Sequence, residues 1–258
     1  YALTTGISGY VSGHFYKQFG GESWVKNVLL TVLLFALPVF VVWACLNTTA
    51  LYYESTAAFP FKTIAGILAL YFLVSFPLQL IGAITAKNFS QPFDAPCRTN
   101  KVPREIPPTA WYKSGPVLIL VAGFLPFSAI YIELYYLFIS VWGQFLYTPF
   151  PIVALMFLIL IMVTSCITIA MIYVLISQEN YLWWWKAVFC GGASSAFIYA
   201  YSIFFFQYES QMTGFLQGIF YFGYMSIACL ALFFMMGSVG FYSSLVFIKR
   251  IYRVIKSD

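Results

Sequence analysis

Charge is scarce in this 258-residue sequence. Lysine and arginine number 13 and aspartate and glutamate 8, together 8% of the chain, against about 25% in soluble domains. So few charges cannot cover the surface of a soluble fold, and that class is excluded. Histidine occurs once, as His14, with no Cys, Asp or second His near it, so no histidine metal site is expected. The five cysteines, Cys45, Cys97, Cys166, Cys190 and Cys229, never fall at CxxC spacing, and four lie in apolar runs. That excludes a disulfide framework or zinc site and leaves small buried apolar residues. Aspartate is missing from the apolar runs, which removes paired-aspartate proteolysis. HExxH, GxSxG, a P-loop and a Cys–His pair are also missing. The sequence therefore reads as a non-enzyme without cofactor or metal.

What is abundant is apolar length. The chain is 62% hydrophobic and 21% aromatic. Seven apolar segments stand out, roughly 1–16, 27–47, 62–86, 115–142, 150–177, 182–206 and 213–248. All but the first exceed the roughly 20 residues that cross a bilayer as a helix. Backbone amides in lipid must bond internally, and these runs do not alternate as barrel strands do. The expected fold is all-α, a polytopic transmembrane helix bundle of about seven spans, with a lipid bilayer as its first partner. The opening run lacks a basic leader and a cleavage site. It reads as the second half of a helix, and the sequence as a C-terminal portion of a longer protein. The last run is too short for two spans and reads as one long helix projecting from the lipid.

With seven crossings, twelve of the 13 basic residues fall on one side and Lys62 alone on the other. The positive-inside rule then puts the tail and the 87–114 loop in the cytosol. Nucleic acid is not an expected partner, because the basic residues follow this topology rather than a groove. The domain reading is a bundle over 1–248, carrying the 87–114 loop, and a cytosolic tail over 249–258. Trp24, Trp111 and Trp183–Trp185 mark one interface; Tyr52, Tyr53, Trp142, Tyr147 and Tyr208 mark the other.

Several residues carry candidate chemistry. Glu133 is an acid inside a spanning segment, costing about 2.5–3.5 kcal/mol on insertion scales. It is either a proton or cation site or a paired carboxyl, with Gln79 and Gln217 as candidate partners. Pro38, Pro77 and Pro126 are positioned to kink three helices. Gly9–Gly13, Gly191–Ser195 and Gly214–Gly218 have the spacing that lets membrane helices approach closely. Asn47-Thr48-Thr49 and Asn88-Phe89-Ser90 are glycosylation sequons, the second on the side where it would be silent. The loop "PCRTNKVPREIP" holds Pro96, Arg98, Thr99, Asn100, Pro103, Arg104 and Pro107. Its prolines fix φ and remove donors, so it can hold a shape without secondary structure. The chain closes with Lys256, Ser257 and Asp258, an ammonium two residues from a doubled negative end.

Taken together, "YALTTGISGYVSG" at 1–13, "PCRTNKVPREIP" at 96–107, "YIEL" at 131–134, "ISQENYLWWW" at 176–185 and the closing "IYRVIKSD" resemble the nonaspanins, the transmembrane-nine superfamily. The resemblance implies that the chain supplies the third through ninth helices, behind a lumenal domain absent here. It implies that Lys256 and Asp258 form a Lys-x-Asp signal bound by COPI coatomer and retaining the protein in Golgi and endosomal membranes. It also implies a role in sorting membrane-protein cargo with weakly hydrophobic or glycine-rich spans, and in adhesion. Two rival classes remain. One is a solute or ion transporter or channel built on Glu133, against which stands the lack of a visible inverted repeat. The other is a seven-helix receptor, against which stands the lack of an Asp-Arg-Tyr or Asn-Pro-x-x-Tyr motif.

Overall fold

Runs this apolar have one way to satisfy their backbone in lipid, and the computed structural model is helical accordingly. It describes residues 4–91, 93–97, 105–107, 111, 114–142, 147–210 and 214–254. In order these form α1 (Thr5–Gln18), α2 (Trp24–Tyr52), α3 (Phe61–Leu70), a π-helical turn (Tyr71–Ser75) and α4 (Phe76–Phe89). There follow α5 (Gly115–Ala129), α6 (Tyr131–Trp142), α7 (Pro149–Ser177), α8 (Trp184–Gly192), α9 (Ser194–Tyr208) and α10 (Phe215–Val254). No strand occurs among the described residues.

Five stretches are long and apolar enough to cross a membrane: α2, the continuous Phe61–Phe89, α7, Trp184–Tyr208 and α10. A sixth arises if α5 and α6, bent by 65°, count as one span. The fold is thus an all-α polytopic transmembrane bundle. The expected seventh span is α1, whose 14 residues fall short of a crossing. Three expected helices are interrupted. The π turn sits just before Pro77, which has no N–H for the carbonyl of Leu73, and Phe76 N–H donates instead to Tyr71 O. The 115–142 run breaks at Ile130, four residues beyond Pro126. The 182–206 run steps at Ala193. Pro38, by contrast, sits inside an unbroken α2.

The chain forms two compact units. The first comprises Tyr1–Asp94 with Gly214–Gly223, the second Ala95–Thr213 with Tyr224–Asp258. In the first, α1 lies against α4 so closely that glycine is required on both sides. A Cβ on Gly9 would strike the carbonyl oxygen of Gln79, and one on Gly82 the carbonyl oxygen of Gly6. Val28, Val32 and Ala83 form a small core with Trp24, Tyr71, Phe76 and Leu80 around them. At one end of this unit, Lys17 Nζ donates to Lys87 O at 2.5 Å, and Lys87 lies over the Trp24 ring at 4.7 Å. In the second unit, Ile172, Leu175 and Ala187 pack with Leu118, Ile176, Trp183 and Ile248. The start of α5, the end of α7, the start of α8 and the end of α10 therefore share one end, as alternating crossings require.

Candidate functional site

An acid in a spanning helix needs a local reason, and Glu133 has one. It occupies the first turn of α6, just past the break at Ile130. Ile130 N–H reaches back only to Phe127 O at 3.2 Å, and the new helix opens with Leu134 N–H on Ile130 O at 2.9 Å. The first amides of a helix lack partners within it, and their dipoles favour negative charge. Glu133 is half-buried there. Tyr201 of α9, only 8% exposed, braces the bend. Its ring centroid lies 5.5 Å from Tyr131 and 5.5 Å from Phe138, both on α6, and 6.3 Å from Phe127 on α5. No sequence motif marks Tyr201; only the density of aromatics around the break hints at it.

Of the glutamines expected beside Glu133, Gln79 and Gln217 belong to the first unit and Glu133 to the second. Gln79 is 3% exposed, and its Nε2 has no hydrogen-bond partner among the described residues, like Ser75 Oγ one turn earlier. Gln217 is exposed, and its Oε1 accepts from Gly214 N at 3.4 Å.

The small-residue pairs divide. Gly9 and Gly13 press on Gln79, Ala83 and Ala86 of α4, and Gly191 lies against Met236 and Gly240 of α10. Gly214, in contrast, has only Gln217 atoms nearest to it. His14, the single histidine, is held in this packing: Nδ1 pairs with Ser90 Oγ at 2.8 Å and Nε2 with Gln18 Nε2 at 2.9 Å. Asn47 lies inside α2, where its Oδ1 accepts from Phe59 N at 2.8 Å.

Pro96 and Pro107 are exposed. Arg98, Thr99, Asn100, Pro103, Arg104, Lys256 and Asp258 lie outside the described residues. What leads to the tail is described: α10 runs 40 residues without a break, through Lys249, Arg250 and Arg253.

Sequence reasoning missed one backbone feature. Glu54 and Glu179 have φ of 48° and 58°, a left-handed conformation that glycine adopts more readily. Each follows a helix, and the three-residue sets Tyr53–Ser55 and Gln178–Asn180 cap the last carbonyls of α2 and α7. The signal available was weak: a polar cluster, "SQEN", directly after an apolar run.

Residues 1–215 match the family model described as Endomembrane protein 70. A transmembrane 9 superfamily member 2 from Arabidopsis thaliana is 50% identical over 258 residues, all of this chain and 44% of the relative. A member 4 from the same plant is 49% identical over the same length, again 44% of the relative. A member 1 from Bos taurus is 48% identical, covering 43% of that protein. The chain spans less than half the length of these relatives. No solved structure matches it.

Proposed function

Because this chain belongs to the Endomembrane protein 70 family, which groups with the transmembrane 9 superfamily proteins, we propose that it is a non-enzymatic, multi-pass sorting protein of Golgi and endosomal membranes. In this reading its C-terminus is cytosolic. Lys256 and Asp258 recruit COPI coatomer, and the bundle selects membrane-protein cargo with weakly hydrophobic or glycine-rich spans. The single observation that favours it is the length of α10. Forty helical residues extend about 60 Å, roughly twice the hydrocarbon core. Its cationic residues sit in the last turns, and Ile248 packs level with Leu175 and Ile176 at the end of α7, so the turns that carry Arg250 and Arg253 continue past that end. A helix that continues there would present the closing residues on that face, where a coat subunit could reach the Lys256 ammonium and the Asp258 carboxylate. For cargo, the α1–α4 crossing illustrates the kind of contact involved, since glycine seams join helices without a hydrophobic drive. The loop residues Pro96, Arg98, Thr99, Asn100, Pro103, Arg104 and Pro107 cap the cytosolic face in the same reading. To test the tail, Lys256 and Asp258 are replaced by Ala in the full-length protein, which is then imaged in cells. Escape from the Golgi is expected; unchanged residence removes the signal.

A second reading rests on the bend at Ile130. A broken helix with an acid in its restarted first turn is a transporter device. Solute or ion flux in proteoliposomes, abolished by Glu133→Gln, would support it. A protein that sorts without flux, and keeps sorting as Glu133→Gln, would retire it.

A further inference from the structure

The turn between α7 and α8 closes one side of a cleft of ≈ 360 Å³ walled by Ile176, Asn180, Tyr181, Trp183, Ile248 and Tyr252. That volume falls within the roughly 300–1,000 Å³ of small-molecule sites. We infer that this cleft binds a membrane sterol, its ring system against the aromatic side chains and its hydroxyl at Asn180. Glu179 also lines the cleft, but a neutral ligand makes no demand on its charge.

Three observations carry the inference. The first is an unpaired donor. Asn180 is 8% exposed. Its backbone N–H donates to Leu175 O at 3.3 Å, and its Oδ1 accepts from Leu182 N–H at 3.0 Å. The second bond sets which way the side-chain amide points. It leaves Nδ2 without a hydrogen bond among the described residues. A donor buried without a partner is costly, and a single hydroxyl oxygen would satisfy it.

The second is a convergence of sequence patterns. Leu175, Tyr181 and Lys186 follow the order proposed for sterol contact, an aliphatic residue, a tyrosine and a cation at short spacing. At the end of α10, Arg250, Tyr252 and Val254 follow the same order in reverse. In a chain with 20 tyrosines, one such pattern alone carries little weight. Here two of them, on separate elements, bring their central tyrosines to one cleft. Tyr181 and Tyr252 are each 41% exposed and accessible there.

The third is depth and polarity. The 29 residues of α7 contain no charge and extend about 44 Å, close to the roughly 40–45 Å that includes both headgroup layers. The cleft at its end therefore lies at headgroup level. Ile176 and Ile248 belong both to its lining and to the apolar packing around Ile172 and Leu175, whereas Asn180 lies beyond the helix end. An apolar wall toward the lipid and one donor at the interface match a sterol, which has a rigid apolar body and a single hydroxyl. Trp183, stacked on Phe241 with ring centroids 5.6 Å apart, is fixed in place. A fixed wall and a rigid ligand lose little freedom on binding.

Two substitutions separate reading of the hydroxyl from occupancy of the cleft. Asn180→Asp keeps an oxygen to accept from Leu182 N–H but has no amide to donate. Ile248→Trp fills the cleft from α10 and leaves both tyrosines in place.

The experiment uses the full-length protein purified in detergent. Binding of tritiated cholesterol is measured, with unlabelled cholesterol, its hydroxyl epimer epicholesterol and oleyl alcohol as competitors. Melting temperatures check that each variant is folded. Saturable binding is expected, displaced better by cholesterol than by the epimer or by oleyl alcohol. Tyr181→Ala and Tyr252→Ala should each weaken it roughly tenfold. Asn180→Asp should weaken it about fivefold and remove the preference over the epimer. Ile248→Trp should abolish it. Unchanged binding in folded Tyr181→Ala and Tyr252→Ala would overturn the inference. So would displacement by oleyl alcohol as effective as by cholesterol, since the cleft would then take any long-chain alcohol. An epimer preference retained in Asn180→Asp would overturn the placing of the hydroxyl.

Discussion

Three helices end in one backbone shape, and only one of them has glycine to make it. After α1, Gly20 takes φ 78° while its N–H bonds Lys17 O and that of Gly21 bonds Tyr16 O. After α2, Glu54 and Ser55 repeat the pattern on Leu51 O and Ala50 O, and after α7, Glu179 and Asn180 repeat it on Ile176 O and Leu175 O. This is the Schellman arrangement, whose left-handed residue is usually glycine. A side chain there costs about 1–2 kcal/mol, partly offset because glycine loses more chain entropy on folding. Glu54→Gly should therefore stabilise the protein by up to about 1 kcal/mol, seen as a higher melting temperature of the purified protein. A lower melting temperature would mean that the Glu54 carboxylate makes a contact worth more than the strain. Gly20→Glu should move in the opposite direction. Glu133 belongs to the same scale. If its role is to face the α6 amides, Glu133→Gln should cost about 0.3–1 kcal/mol and leave the bend intact by cysteine cross-linking between α5 and α9. A much larger loss would indicate a partner beyond the helix start.

At the scale of elements, the glycines separate into those that join helices and those that do not. A Cβ at Gly9 or Gly82 would meet backbone oxygen, which cannot move aside as a flexible side chain can. Gly9→Ala and Gly82→Ala should each destabilise by about 1–3 kcal/mol, the usual cost of overpacking. Gly66 lies within α3 with no atom within 4 Å of the added carbon. Gly66→Ala should stabilise by about 0.5–1 kcal/mol through helix propensity alone. Melting temperatures of the three variants check the contrast, and a loss at Gly66 equal to that at Gly82 would refute the packing argument. This contrast also shows what the sequence could convey. Apolar length determines helix, because lipid offers the backbone no alternative, so α2, α7 and α10 were legible. Small residues four apart announce a close approach but not its partner: Gly9 meets α4, Gly191 meets α10, and the atoms nearest to Gly214 belong to Gln217 of its own turn. Proline marks a missing donor but not the response. Pro38 is absorbed by α2, Pro77 follows a π turn, and Pro126 precedes a 65° bend. The step at Ala193 has no proline at all. It falls where Gly192 fits under the Phe233 ring, a contact set by a residue 41 positions away. The acidic left-handed turn at Glu179 was illegible for a related reason, since its conformation is imposed by α7 ending rather than by the preference of glutamate.

For the molecule as a whole, the testable quantity is which helix ends share a membrane side. Within the first unit, α1 ends where α4 ends, fixed by Lys17 on Lys87 O and His14 on Ser90, and α2 begins there, with Trp24 under Lys87. Lys62 opens α3, and the continuous 29 residues of Phe61–Phe89 extend about 44 Å, so Lys62 and Lys87 stand a bilayer apart. Within the second unit, Lys186 opens α8 at the end where α10 carries Lys249, Arg250 and Arg253. The positive-inside rule then assigns each unit's basic end to the cytosol. Single cysteines at positions 62, 87 and 253, in full-length protein otherwise lacking cysteine, provide the check in sealed microsomes. A membrane-impermeant maleimide should label positions 87 and 253 from the cytosolic face and reach position 62 only after the membrane is opened. Labelling of 62 and 87 from the same face would mean that Phe61–Phe89 enters and leaves by one side, as its π turn at Tyr71–Ser75 would permit if it were a hinge rather than a local response to Pro77. Labelling of 253 only from the lumen would place the end of α10 where no coat protein reaches, and sorting through Lys256 and Asp258 would be physically closed to this protein.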